Sequence, residues 1–137
     1  MRRAAAGTAL VEFALAWPVA LLLALGCIEF SVWGAEAQAV RSAALAGARA
    51  ASVAGGGPSV ASRVTLRALE PSLVGVVAAA WCPGQAGTPP EVWVCAKDAG
   101  QSIEVTVGGT APAIVPLVAW SGLPLHADVA MRKETFS

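Results

Sequence analysis

The chain has 137 residues, is 56% hydrophobic and only 13% charged, and carries a formal net charge of zero. Soluble domains run nearer to about 25% charged, so this balance points to a membrane segment. The neutral total excludes a global basic field of the kind that draws nucleic acid.

The first residues are Met1, Arg2 and Arg3, then Ala4-Ala5-Ala6-Gly7 and Thr8-Ala9-Leu10-Val11-Glu12-Phe13. From Phe13 to Ile28 there is no charge, and the run is apolar apart from Pro18 and Gly26. Ala9 to Trp33 as one helix spans about 37 Å, enough to cross a hydrocarbon core of about 30 Å with some tilt. Phe13 and Trp17 near one end, and Phe30 and Trp33 near the other, suit the two interfacial belts. Arg2 and Arg3 precede the run while Glu29 and Glu36 follow it, so the positive-inside rule puts the N-terminus in the cytoplasm.

The helix is expected to continue outside the membrane, from near Thr8 to near Ala54, with any bend at Pro18 or Gly34. Ala35, Ala39, Ala43, Gly47 and Ala51 recur every four residues as a ridge of small side chains. Such a ridge permits close helix packing; the plainer account is that alanine favours helix wherever it occurs. Gly55-Gly56-Gly57-Pro58 ends the helix and serves as a linker. A second helix is predicted from Ser59, as N-cap, to about Glu70, with Pro71 beyond it. Residues 72–80 are apolar and ambiguous. Strands are predicted at Glu91 to Ala96, at Ile103 to Val107 with Gly108-Gly109 breaking it, and at Leu125 to Arg132, where apolar and polar residues alternate. Residues 113–124 read as an apolar loop. The fold class is α+β: a long transmembrane helix that continues outside, then a small exterior domain of short helix plus antiparallel sheet. The segments are a leader at 1–7, the membrane helix at 8–34, the extension and linker at 35–57, and the exterior domain at 58–137.

Three cysteines are present, and Cys82 and Cys95 are 13 residues apart. A disulfide between these two is the natural reading if that half lies outside the cytoplasm, with two buried reduced thiols as the alternative. No C-x-x-C pair exists, and His126 alone adds too little to the cysteines for a zinc site. No metal and no cofactor is expected. His126 and Asp128 share a strand face with no serine tied to them by a motif, so a solvated face is the reading there and no enzyme is expected.

Glu12 stands at the entrance of the apolar run, where a carboxylate is costly and usually functional; the bland account is a side chain that reaches the headgroups. Its setting decides between them. Gly7, Thr8, Glu12 and Phe13 together resemble the processing site of type IV pilins and pseudopilins, preceded by a short basic leader. The ordered series Ala9-Leu10-Val11-Glu12-Phe13-Ala14-Leu15-Ala16-Trp17-Pro18, then the Leu run, Gly26-Cys27-Ile28-Glu29-Phe30, Ala43-Ala44 and Gly47-Ala48-Arg49 resembles the TadE-like proteins of tight-adherence (Tad, or Flp) pilus systems. The closing segment Leu125 to Glu134 is similar to that family's last strand, whereas residues 58–124 match only in general character, and Cys27 departs from the pattern. The resemblance implies cleavage by a prepilin peptidase after Gly7, so that Thr8 becomes the first residue and Glu12 the fifth. It implies a structural role as a minor pilin or pseudopilin in the cytoplasmic membrane or the pilus. Its partners would be other pilins or pseudopilins, the prepilin peptidase, the Tad assembly platform and the membrane.

A conventional signal peptide fits poorly, because Glu12 and Pro18 interrupt the apolar run. A lipoprotein signal ending at Cys27 has Leu25 one place too late, and the surroundings of Arg2-Arg3 do not match a twin-arginine signal. The alternative function is an unprocessed, single-pass, membrane-anchored exterior domain that binds a partner.

Overall fold

The computed structural model describes residues 2–53, 55–73, 75–114 and 122–134, with side chains from residue 10 onward. The chain divides into two compact units, Met1–Val32 and Trp33–Ser137. Helix α1 runs over Arg2–Ser52 without interruption, with Pro18 inside it. It begins earlier than the expected start near Thr8, because Arg and Ala are strong helix formers and nothing before Gly7 breaks them. The expected end near Ala54 falls outside the described residues.

In the first unit the large apolar side chains stand in the open: Leu10, Phe13, Leu15, Trp17 and Leu23 are all more than half exposed. A helix apolar on every side satisfies its backbone internally and suits lipid or neighbouring helices rather than water. Among the described residues, one helix is long and apolar enough to cross a membrane, with a mean hydropathy of 2.1. Proline has no N–H to offer the carbonyl of Ala14, the one helical bond that Pro18 removes. Ser31 donates its hydroxyl to the Cys27 carbonyl at 2.7 Å, so this polar group needs no partner from outside the helix.

In the second unit, α1 from Trp33 onward is joined by helix α2, Pro58–Leu69, and strands β1, Ala78–Ala80, β2, Val92–Asp98, β3, Ser102–Ala111, and β4, Leu123–Arg132. The N-cap of α2 is Gly57, in extended backbone, and not Ser59; Pro58 takes the first helical position, where its fixed φ fits and its missing N–H is not needed.

The sheet has the order β1-β2-β3-β4. It is mixed, which corrects the expectation of a purely antiparallel one. β2, β3 and β4 pair antiparallel, but β1 pairs parallel to β2, with Ala78 opposite Val92. Three alanines carry no alternation to read, so β1 exists because β2 and α2 offer it a place. Its brevity allows residues 81–91 to bring the chain back for a parallel pairing without a helix in the connection. β3 also continues through Gly108-Gly109, where a break is predicted. A Cβ on Gly108 would collide with the Trp93 ring, and one on Gly109 would collide with the Glu91 carbonyl, so the glycines let two strands and an indole approach closely.

Val92, Val94, Ile103, Val105, Val107 and Leu125 face inward from the sheet, Ala61 and Leu69 from α2, and Val40, Ala43, Ala44, Ala48 and Ala51 from α1. Each fully buried Val, Leu or Ile contributes about 1.5–3 kcal/mol relative to exposure. Gly47 marks where α1 meets α2: a Cβ there would strike the Thr65 hydroxyl and lie 2.8 Å from the Ala61 carbonyl. Thr65 is fully buried. Its hydroxyl has no hydrogen-bond partner among the described residues. β4 is tied back to α1 near both of its ends, by Trp33 Nε1 donating to the Pro124 carbonyl at 3.2 Å and by Glu134 N donating to the Ser52 carbonyl at 2.8 Å.

Gly47→Ala is expected to destabilise the protein by about 1–3 kcal/mol through overpacking, although alanine gains about 1 kcal/mol in helix propensity. Adding Thr65→Ala should recover part of that loss, since it removes both the obstructing hydroxyl and a buried polar group. Urea unfolding of the detergent-solubilised chain, followed by tryptophan fluorescence, measures both; a higher midpoint for Gly47→Ala alone contradicts the close approach. Replacing Cys82 and Cys95, which are bridged, by alanine should lower stability by about 2–3 kcal/mol, since the bridge closes a short loop. Mass spectrometry of the exported, unreduced protein should find the two cysteine peptides linked, and free thiols at both would count against it.

Candidate processing and assembly sites

Gly7 and Thr8 lie within the helical backbone of α1. Glu12 is exposed on the same helix. Phe13 is 67% exposed. Its ring stacks on Trp17 one turn later, with centroids 5.9 Å apart and planes at 20°. The spacing of four residues puts the two rings on one helix face. A carboxylate thus stands beside a paired aromatic patch on a stretch of α1, residues 10–24, whose side chains are all exposed.

The small-residue ridge does not have one environment. Ala43, Gly47 and Ala51 are buried, Ala39 is half-buried and Ala35 is exposed. The buried three, with Val40, Ala44 and Ala48, form the α1 face that meets the chain's own core. Glu36, read from sequence as a charge beyond the membrane segment, is only 5% exposed. Its spacing from Val40, Ala43 and Gly47 places it on the same stripe, a helical periodicity that sequence reading could have extended back to it.

Cys82 and Cys95 form a disulfide with Cα atoms 4.7 Å apart. Cys95 sits on the sheet face away from the helices, beside Trp93, whose ring lies edge-on to Trp81 with centroids 5.9 Å apart. Trp93 covers Gly108 on the neighbouring strand. Sequence reading did not single out the two tryptophans; the signal was their position one residue before Cys82 and two before Cys95. The bridge therefore holds the return loop after β1 against β2. Cys27 is free and exposed on α1.

His126 and Asp128 share the outer face of β4, and Asp128 accepts a hydrogen bond from the Thr106 hydroxyl at 3.1 Å. No group of three or more His, Cys, Asp or Glu suited to a metal occurs among the described residues. Asp98 accepts from Lys133 Nζ at 2.6 Å and from the Gly100 amide at 2.9 Å. The Lys133 hydrogen bond first, and the Gly100 amide second, hold the Asp98 carboxyl below its ordinary range. The small stabilisation from this exposed pair is present above that range and fades as acid protonates the carboxylate.

No curated protein and no solved structure matches the chain. A protein-family model, described as TadE-like protein, does match, over residues 7–49. The matched segment begins at Gly7, includes Glu12, Phe13 and the whole apolar run, and ends at Arg49, before α2 and the sheet. The N-terminal segment of this chain is thus similar to TadE-like proteins, over less than half of its length.

Proposed function

We propose that this protein is a minor pilin or pseudopilin that helps assemble or anchor a Tad-type pilus, in a structural and not a catalytic role. The observation that carries the reading is the family match over residues 7–49, which starts at the glycine of the processing motif. In this reading α1 crosses the cytoplasmic membrane once, with Arg2 and Arg3 in the cytoplasm and the α2–sheet unit outside. The Cys82–Cys95 bridge supports the exterior placement, since disulfides persist in oxidising compartments.

A prepilin peptidase cuts after Gly7 in this reading. Loss of Arg2 and Arg3 lowers Lys plus Arg from 9 to 7 against 9 Asp plus Glu, a side-chain net of −2. The cut also exposes a positive amine on Thr8, one helical turn from Glu12. Two opposite charges at membrane depth are tolerable together and costly apart, so the amine and the carboxylate offset one another within a subunit or between neighbours. The exposed Phe13–Trp17 patch and the open apolar faces of α1 offer contact area to neighbouring pilin helices.

N-terminal sequencing of membrane-extracted protein, co-expressed with a prepilin peptidase, is expected to start at Thr8, and Gly7→Leu to retain the leader. An intact Met1 in the presence of active peptidase, or a terminus at Cys27, would reject processing and favour an unprocessed anchored binding domain. Glu12→Ala should leave membrane insertion unchanged or improved, while reducing recovery of the processed protein with the pilus machinery in a co-purification assay. Equal recovery of Glu12→Ala and wild type would remove the charge-pairing role.

A further inference from the structure

The sheet has two edge strands, and they are built differently. β4 carries Pro124, His126, Asp128 and Arg132, and proline and charge are what discourage an edge from pairing. β1 has none of these: residues 76–80 are Val-Val-Ala-Ala-Ala, and Val77 is 84% exposed, the most exposed large hydrophobic side chain among the described residues. Trp81 N donates to the Val94 carbonyl at 3.0 Å, so strand alternation turns Ala79 towards β2 and the N–H and C=O of Ala78 and Ala80 away from it. No backbone partner for these outward groups occurs among the described residues.

Beside this edge, between β1 and α2, lies a groove of about 640 Å³ lined by Leu66, Val76 and Val77 and by Arg63, Arg67 and Glu70. Arg63 and Arg67 are exposed, one turn apart, and form no ion pair among the described residues. An open backbone edge, an apolar wall and two guanidiniums in excess of one carboxylate together specify an occupant.

We propose that the β1 edge and its groove are a docking site for an extended segment of a partner protein in which apolar and acidic residues alternate, added to the sheet as a fifth strand. Its backbone bonds Ala78 and Ala80, its apolar side chains pack on Val76, Val77 and Leu66, and its carboxylates pair with Arg63 and Arg67. A second copy of this chain is the poorer occupant. Pairing two such edges brings four guanidiniums to one seam against two Glu70 carboxylates, and like charges in register are unfavourable. The proposal stands independently of processing after Gly7.

The test uses the full chain in detergent micelles, titrated against a fluorescein-labelled peptide of alternating valine and glutamate and followed by fluorescence anisotropy. Saturable binding is expected with a Kd on the order of 100 μM, because a three-residue edge offers few backbone bonds. Val77→Lys, a change at an exposed position, should weaken binding at least tenfold, as should Arg63→Glu with Arg67→Glu. Ala80→Pro should do the same while leaving the β1–β2 pairing intact, since the N–H it removes points away from β2. A peptide of alternating valine and lysine should bind at least tenfold more weakly than the acidic one. Any of three results overturns the proposal: no saturation by about 1 mM, equal affinity for the basic peptide, or undiminished affinity in Val77→Lys. Self-association of the chain that Val77→Lys abolishes would also overturn it, by assigning the edge to a second copy.

Discussion

The close approach of α1 to α2 at Gly47 is the contact on which the C-terminal unit depends. With the Ala61 carbonyl 2.8 Å from where a Cβ would stand, no larger residue fits without moving a backbone. That constraint explains why the buried face of α1 is written mainly in alanine, with Val40 and Glu36 the larger buried side chains on it among the described residues. Small residues bring helices together closely but each removes little apolar area from water. The remaining stabilisation comes from the valines, isoleucine and leucines of the sheet and α2, and from a disulfide that limits the unfolded chain. Thr65 is the counterpart of this arrangement: it is fully buried, with its hydroxyl turned to the place where a larger α1 residue would have filled the space.

The same helix obeys a different rule in its first thirty-odd residues. There the apolar side chains surround the axis on every side, and Ser31 satisfies its hydroxyl within the helix by bonding back to Cys27. Only from Trp33 onward does one face become committed to a protein core. A single regular backbone thus carries two patterns. One is apolar all round, for lipid or neighbouring helices, and the other is a stripe spaced three and four residues apart, for its own domain. The TadE-like match spans both patterns and stops before the second helix, so the family match rests on the helix and its motif.

The sheet presents three surfaces of distinct character. Its inner face is sealed by the helices. Its outer face is polar over β3 and β4, and over β2 it is closed by Trp93 and the disulfide, with Trp81 set edge-on to Trp93. Its β1 edge is open, apolar and flanked by arginines. A subunit that packs through its N-terminal helix would retain that edge as a second, chemically different means of contact with a partner.

The amino-acid sequence by itself determined the long apolar helix, the processing-type motif of Gly7, Thr8, Glu12 and Phe13, the family resemblance, and the alternation of β3 and β4. Each of these is a local pattern: a hydrophobic run, a motif, or a period of two repeated over enough residues to read. It also suggested Cys82 and Cys95 as partners, but spacing along the chain does not give Cβ geometry, and the fold supplied it. Tertiary structure alone decided that β1 is a strand and that it runs parallel, because three alanines have no pattern of their own and take the conformation their neighbours offer. It decided that β3 passes through two glycines, since the indole above Gly108 and the strand beside Gly109 turn the missing side chains into an advantage. It also divided the small-residue ridge, burying Ala43, Gly47 and Ala51 and leaving Ala35 in the open. A repeat of four fixes which residues share a helix face, but which part of that face is covered depends on where α2 and the sheet come to rest.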